Sequence, residues 1–332
     1  MAYVVEGKLP HRVLSDLLSR LTPPAREVVV GPFPGEDACA VDTGGDLLVA
    51  SSDPITFTRR NIGYYLVNVN ANDVATMGAR PRWLLAVLLL PPGVRRRKIT
   101  GLFDEVNGAC EDLGISVCGG HTEITSAVSR PVIVGTMLGT VSRRRLVRPA
   151  RSRAGDRVLL TKSLAIEGTS IIAGERRREV EEILGRREAR RARDLLFDPG
   201  ISVVREALCA VRTAPIHAMH DPTEGGLLWG LKELAYVTGL GIEVDLDHVP
   251  ILESTLSVCE HFGLNPLGLI ASGSLLIVVS RRGAPGVASA IRSLGIGCTQ
   301  IGRMGGKGLR ATRRGRRVRL PRLRGDEIAR IL

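Results

Sequence analysis

Apolar residues recur along the chain at helix spacing in some segments and at strand spacing in others. Leu9, Val13, Leu17 and Leu21 lie on one face of a helix predicted over 9–21, which Pro23 ends. The same periodicity predicts helices near 61–77, 96–113, 176–196, 201–211, 225–238 and 287–294, with a short helix from Glu167. Short apolar or β-branched runs predict strands at 28–30, 39–41, 47–51, 83–90, 115–118, 132–141, 157–161, 216–219, 242–246, 275–279 and 299–304.

These helices and strands alternate without a strict order. That mixture favours α+β domains with mixed sheets over a doubly wound parallel sheet. The chain has 332 residues, which is enough for two domains with separate cores. Turn residues and charges cluster between Arg148 and Asp156, so we predict one domain over 1–150 and another over 151–332.

The formal net charge of +12 raises the possibility of a nucleic-acid partner. However, arginines occur along the whole length, and aromatic residues that could stack on bases make up only 3% of the chain. We therefore expect no more than weak electrostatic binding to nucleic acid. The N-terminus has no secretory signal pattern, and the apolar run 83–90 is too short to cross a bilayer. We expect a cytoplasmic protein that binds no membrane, with its six scattered cysteines as free thiols.

Acidic residues are placed beside several predicted strands. Asp37 precedes a strand, Asp53 follows one, and Asp73 lies late in a helix beside Asn72. The sequence "GGHTE" places Gly119, Gly120, His121 and Glu123 after another strand. Mg²⁺ binds hard oxygen ligands, commonly one or two carboxylates together with substrate phosphates, so this set suits an ATP–magnesium site. The alternative for each residue alone is a turn cap or a surface ion pair.

A second cluster is found in "HDPTEGG", residues 220–226. Asp221, Thr223 and Glu224 form a helix-start pattern, and Gly225 and Gly226 would leave the first backbone N–H groups open to an anion. The alternative is a capped helix whose leucines face the core. His217 and His220 have metal-pair spacing but no third ligand in the sequence pattern. The chain contains neither a P-loop nor a Rossmann glycine motif.

Several motifs recur in an order that resembles a known superfamily. They are "GEDACAVD" (35–42), "SSDPITF" (51–57), "NANDVATMGARP" (70–81), "GGHTEIT" (119–125), "LLTKSLAIEGTSIIA" (159–173), "HDPTEGGLLWGLKELA" (220–235) and "GLIASGSLLIVV" (268–279). On these motifs the chain resembles the aminoimidazole ribonucleotide synthetase, or PurM-like, superfamily. Within it, the chain is most similar to the HypE group of hydrogenase-maturation proteins and their relatives.

The resemblance implies an N-terminal α/β domain that forms a homodimer through its strands, and a C-terminal α+β domain. It also implies ATP and Mg²⁺ as cofactors, with Asp37, Asp53 and Asp73 as the metal and phosphate-handling acids. His121 stands where the family often has aspartate, and Glu123 would supply the lost metal ligand. Lys162 would contact a phosphate or a developing oxyanion. The implied nucleotide contacts are Gly35, Asp37, Asp53, Asn72, Asp73, Gly119, Gly120, Asp221, Thr223, Glu224, Gly225 and Gly226.

The reaction implied by the resemblance is phosphorylation of an amide or acid oxygen by ATP, with His121, Glu123 and Lys162 as the catalytic candidates. HypE proteins modify a cysteine at their extreme C-terminus, whereas the last cysteine of this chain is Cys298. We therefore expect a separate small-molecule or protein substrate. One alternative is a small-molecule kinase similar to thiamine-monophosphate kinase. Another is a non-catalytic or nucleic-acid-binding relative, for which the basic stretch 310–325 is the motivation.

Overall fold

The protein is described here by a computed structural model that covers Leu9 and residues 11–56, 58–323 and 325–332. It contains two compact units. One comprises Pro24–Pro32 and Asp37–Leu146, and the other comprises Val147–Leu332 with Phe33–Glu36 and the chain before Pro24. We call them the first and the second unit. Each contains a sheet with helices, so the predicted mixed α/β fold with two sheet-containing domains is confirmed. The predicted boundaries 1–150 and 151–332 stay a prediction.

Helix α1 (His11–Leu18) belongs to the second unit. The first unit contains β1 (Val28–Val30), β2 (Cys39–Asp42), β3 (Leu47–Ile55), α2 (Ile62–Thr76), β4 (Arg80–Leu90), α3 (Arg96–Leu113), β5 (Ser116–Ile124) and β6 (Val132–Val141). The six strands form one sheet in the order β1-β2-β3-β6-β4-β5. Strands β4 and β5 are parallel, and the other pairs are antiparallel.

The second unit begins with β7 (Arg157–Thr161). It continues through α4 (Ile166–Glu175), α5 (Arg177–Asp194), α6 (Val204–Thr213), β8 (Ile216–His220), α7 (Gly226–Thr238), β9 (Ile242–Asp245), α8 (Glu253–His261), β10 (Leu276–Val279), α9 (Ala284–Arg292), β11 (Cys298–Met304), β12 (Leu309–Arg313) and β13 (Arg316–Val318). Its sheet has the order β13-β12-β9-β11-β7-β10-β8. Strand β10 is fully buried, which explains its uninterrupted apolar sequence.

The first unit's sheet has one covered face and one less covered face. Along β4 and β6 buried residues alternate with half-buried ones, as expected for a strand with one face on a core. Helix α2 packs on the buried face and α3 packs on α2, so α2 is buried on nearly all sides. On the second face, Leu85, Val87 and Leu89 are only half-buried.

Several predicted elements match the structure residue for residue, among them the helix 96–113 and the strands 28–30, 132–141 and 157–161. Strands β3 and β5 are longer than predicted, and this changes the setting of the site residues. Asp53 lies inside β3 rather than after it, and His121 and Glu123 lie inside β5. Helix α8 and strands β12 and β13 were not predicted. Among the described residues, no helix is both long and apolar enough to span a bilayer.

Candidate functional site

Three of the predicted acids lie around the end of α2 in the first unit. The Ser51 hydroxyl donates to Asp73 Oδ2 at 2.7 Å, and it also lies 3.0 Å from the Asp37 carbonyl oxygen. Both Ser51 and Asp73 are buried. Ser51 thereby joins three segments that are well separated in sequence. It was not among the predicted site residues, because a serine in a strand has no pattern that distinguishes it.

Asp53 is held on the same side of the sheet. Side chains alternate along β3, so Asp53 faces α2 as Ser51 does. The buried side-chain amide of Asn70 accepts from the Asp53 N–H at 2.9 Å and donates to the Asp53 carbonyl at 3.3 Å. Asn70 and Asp73 are one helical turn apart, which matches the two-residue step from Asp53 to Ser51. A side chain at Gly135 would collide with the Asn70 amide, so glycine is required there.

The structure therefore places Asp37, Asp53 and Asp73 on one side of one sheet. Asp37 and Asp53 are half-buried. Asn72 is fully buried in α2. Across the described part of the chain, no three His, Cys, Asp or Glu side chains are gathered closely enough to hold a metal ion. Mg²⁺ needs only one or two carboxylates when phosphates complete its shell, so the three aspartates fit that requirement and stay a prediction.

His121 and Glu123 lie apart from these aspartates. They pair with Val87 and Leu89, whose side chains point to the second face of the sheet. Strands β6 and β4 separate β3 from β5, which corresponds to about 14 Å at the usual strand spacing. The prediction that Glu123 joins the three aspartates around one ion is therefore wrong for a single chain. The His121 Nε2 atom lies 3.6 Å from Glu123 Oε2, and both side chains are at least half exposed.

Strand pairing within the sheet accounts for one of the two glycines before His121. Gly120 has φ of 145°, and a Cβ atom there would lie 1.9 Å from the Ala86 carbonyl oxygen of β4. Gly119 would meet only the Leu85 side chain, at 3.5 Å. Close strand pairing at a register shift therefore requires Gly120. The interpretation that both glycines serve a phosphate is not needed to explain Gly120.

Lys162 is part of a buried network in the second unit. Its Nζ atom lies 3.0 Å from Glu206 Oε1 and donates to the carbonyl oxygens of Gly200 and Ser202. The side chains of Lys162 and Glu206 are 5% and 1% exposed, and burial lowers the pKa of Lys162. All three N–H groups of the ammonium have partners within the chain. This geometry favours a structural role over the predicted contact with a phosphate or an oxyanion.

The predicted anion site at the start of α7 is filled by the chain itself. The Gly225 N–H donates to Asp326 Oδ2 at 2.6 Å, and the Gly226 N–H donates to the Thr223 carbonyl at 3.1 Å. Both glycines have positive φ. Cβ atoms there would collide with the Trp229 ring and the Leu269 carbonyl, respectively. The sequence identified amides that bind an anion, but that anion is a carboxylate about 100 residues downstream.

Asp326 belongs to a group of buried acids. Its carboxylate also accepts from the Ile270 and Ile328 N–H groups. These bonds and the one from Gly225 lower the pKa of Asp326, but burial has the larger effect and raises that pKa to about 6. Glu167 accepts from the Ser272 N–H at 2.9 Å, and burial raises its pKa to about 7, with further contributions from Asp326 and Glu224. Among the predicted nucleotide contacts, Glu224 is near enough to raise the pKa of both Glu167 and Asp326. Asp221 is buried, and the Thr223 carbonyl accepts from Gly226. Sequence reasoning missed Glu167 and Asp326.

Three further residues have structural roles. Gly35 has φ of 89°, and a Cβ atom there would lie 2.3 Å from the Val237 side chain of α7. His217 Nδ1 lies 2.7 Å from Asp156, and His220 Nε2 lies 2.9 Å from Glu233. The two histidines therefore bind separate carboxylates and do not form a metal pair.

Comparisons with known proteins agree with this architecture. The family model described as "AIR synthase related protein, N-terminal domain" matches residues 35–141, and the corresponding C-terminal domain model matches 153–313. The chain is 30% identical to the carbamoyl dehydratase HypE of Azotobacter vinelandii, over 72% of this chain and 68% of that protein. It is 26% identical to carbamoyl dehydratase HypE of Rhizobium leguminosarum bv. viciae, over 79% and 74%.

Solved structures share the fold. The chain of a HypE–HypF complex superposes with a TM-score of 0.72 at 22% identity, covering 87% of this chain and 94% of that one. HypE in complex with ATP gives 0.71 at 24% identity, covering 96% of each chain. A protein named AaThiL, complexed with AMPPCP and TMP, gives 0.72 at 21% identity, covering 95% and 94%.

Proposed function

The chain belongs to the AIR synthase related protein family, and from this premise we propose that it is an ATP-dependent enzyme that phosphorylates an amide or acid oxygen of its substrate. Phosphorylation turns a poor leaving group into phosphate, after which a nucleophile or an elimination completes the reaction. In such chemistry the protein mainly positions the reactants and neutralises charge. The substrate is a small molecule or a segment of another protein.

The observation that carries this proposal is the arrangement around Ser51. Asp37 and Asp53, which are half-buried, and Asp73, which is buried, lie on one side of the first unit's sheet. Ser51 orients Asp73, and Asn70 fixes the backbone of Asp53. Asp37, Asp53 and Asp73 are the residues that would hold Mg²⁺, which when bound neutralises phosphate charge. The solved structure of HypE in complex with ATP shares this fold, which supports ATP as the nucleotide.

Replacing Asp73 by asparagine should weaken nucleotide binding without unfolding the unit. The variant keeps the acceptor for Ser51 but removes the negative charge, so we expect the Kd of a non-hydrolysable ATP analogue with Mg²⁺ to rise roughly 30- to 100-fold. Isothermal titration calorimetry measures this. Asp104→Asn, an exposed position on α3, is the matched control and should bind as the natural chain does. Equal Kd values for both variants, or no heat with the natural chain at any Mg²⁺ concentration, would overturn the proposal.

The second candidate is a small-molecule kinase. The similarity to AaThiL, solved with AMPPCP and TMP, is the observation that favours it. The two reactions differ in the fate of the phosphoryl group. A kinase leaves it on the acceptor, whereas the activating reaction releases inorganic phosphate along with the product, and ³¹P NMR of the products separates them.

We also propose that two copies associate through the second face of the first unit's sheet. Edge strand β5 is exposed along its whole length, and Leu85, Val87 and Leu89 of β4, which lie on this face, are only half-buried. Such a contiguous apolar surface is typical of an interface.

Light scattering should therefore give twice the mass of one chain. The variant Val87→Arg/Leu89→Arg is expected to give a single-chain mass, because it places two like charges within the interface. Leu256→Arg, at an exposed leucine of α8, is the control and should leave the mass unchanged. A single-chain mass for the natural protein, or a double variant that stays associated, would contradict this interface.

A further inference from the structure

The positive charge of the chain is concentrated in one segment, although arginines occur throughout. Residues 261–325 contain 13 arginines and lysines and no aspartate or glutamate. The rest of the chain has 33 basic and 34 acidic residues, so it is nearly neutral. Ten of the 13 lie between Arg303 and Arg324. A chain-wide preference for arginine would not produce this imbalance, because it would not remove acidic residues from one particular segment.

The structure folds the centre of this segment into a hairpin at the edge of the second sheet. We call residues 309–318, which comprise β12, β13 and their turn, the basic hairpin. Strand β13 is the outermost strand. Arg313 lies directly opposite Arg316, and Arg317 lies opposite Thr312. Directly opposed like charges destabilise a strand pair, so this arrangement opposes folding unless an anion is bound.

Only part of this charge is neutralised within the chain. Glu243 of β9 pairs with Arg303 and Arg310, and Asp247 accepts from the Arg314 backbone N–H. Arg313, Arg316 and Arg317 are exposed and form no ion pair with any described residue. Their guanidinium groups are therefore available to an external ligand. Arginine suits phosphate because its planar N–H groups can bind two oxygens at once.

The apolar residues of the hairpin are not available to a protein partner. Ala311 is buried, and Leu309 and Val318 are half-buried. Protein interfaces usually centre on desolvated apolar or aromatic anchors, which this surface lacks. Phosphate-backbone binding needs only positive charge at close spacing. We propose that the basic hairpin is a docking surface for the phosphate backbone of a nucleic acid, a function separate from the proposed ATP-dependent reaction and independent of it.

Salt-dependent binding tests this proposal. Fluorescence anisotropy would follow the protein on a labelled RNA duplex of about 20 base pairs, and on DNA of the same sequence, between about 50 and 200 mM KCl. In Arg313→Gln/Arg316→Gln/Arg317→Gln, we expect the slope of log K against log salt to fall by about 3, one per lost phosphate contact. Affinity at the lower salt should fall roughly 10- to 100-fold. Comparing RNA with DNA shows which nucleic acid supplies the phosphates.

Two further variants separate the hairpin's contribution from that of net charge. Arg186→Gln/Arg187→Gln/Arg190→Gln removes the same charge from exposed positions of α5 and should leave the slope unchanged. Replacing the three hairpin arginines by lysine keeps the charge and should preserve the slope even where affinity falls. Equal loss in the α5 variant would overturn the proposal, since net charge alone would then explain binding. Competition by polyglutamate as strong as by RNA would overturn it in favour of an acidic polypeptide.

Discussion

Replacing Lys162 by methionine is expected to lower the free energy of unfolding by about 3 to 5 kcal/mol, the usual loss when one partner of a buried ion pair is removed. Methionine fills a similar volume but leaves the Glu206 carboxylate buried without its cation. The carbonyl oxygens of Gly200 and Ser202 also lose their donor. The Thr161 hydroxyl, 3.4 Å from Glu206 Oε1, does not replace the lost charge. Chemical denaturation followed by circular dichroism measures the change.

The same variant tests the predicted catalytic role of Lys162. Arg191→Met breaks an exposed pair with Glu188 and should cost under about 1 kcal/mol, so it controls for the loss of a surface cation. The double variant Lys162→Met/Glu206→Leu removes both charges and should recover most of the stability. A stable single variant that binds ATP but does not turn it over would contradict the structural role and support contact with a phosphate. A loss of stability that the double variant reverses supports the buried pair.

Local patterns predicted most elements of the fold. Helix 96–113 is bounded by Pro92 and by Gly114, which has φ of 65°, so both ends are encoded locally. Strands β3 and β5 were predicted too short because Pro54 and the Gly119–Gly120 pair are signals that usually end a strand. In the structure β3 continues through Pro54 opposite Val134 of β6, and β5 continues beside β4. Pairing with neighbouring strands, which a single segment does not reveal, extends both.

The basic hairpin was missed for a similar reason. Its strands consist largely of arginine, and they pair with β9 and with each other at the edge of the sheet. Arginine-rich strands lack the apolar alternation from which strands are predicted. The basic stretch 310–325 was visible in the sequence, but its pairing as strands was not.

The sequence selected candidate site residues by type and position, but it revealed none of their long-range partners. Asp37, Asp53 and Asp73 were selected by residue type and position, and the structure places them on one side of one sheet. Glu123 was selected by the same reasoning, yet its strand lies at the far edge. Alternation and register decide which face of a sheet a residue occupies. Neither can be read from a segment whose strand partners are unknown.

The anion-binding character of α7 likewise depends on a distant partner. Replacing Asp326 by alanine should destabilise the second unit by about 3 kcal/mol or more at pH 7.5, because three buried N–H groups lose their acceptor. Asp245→Ala is the matched control. Asp245 accepts from the Asp247 N–H at 3.1 Å in an exposed turn, and its loss should cost about 1 kcal/mol or less.

The pH dependence gives this prediction a second readout. Burial raises the pKa of the Asp326 carboxyl from 3.8 to about 6, so the folded protein binds a proton there more tightly than the unfolded chain does. Its contribution to stability therefore falls as pH rises from about 4 to about 6, and the deficit of Asp326→Ala should be larger at pH 5 than at pH 7.5. A deficit below about 1 kcal/mol at both pH values would mean that another group or solvent satisfies the Gly225, Ile270 and Ile328 amides.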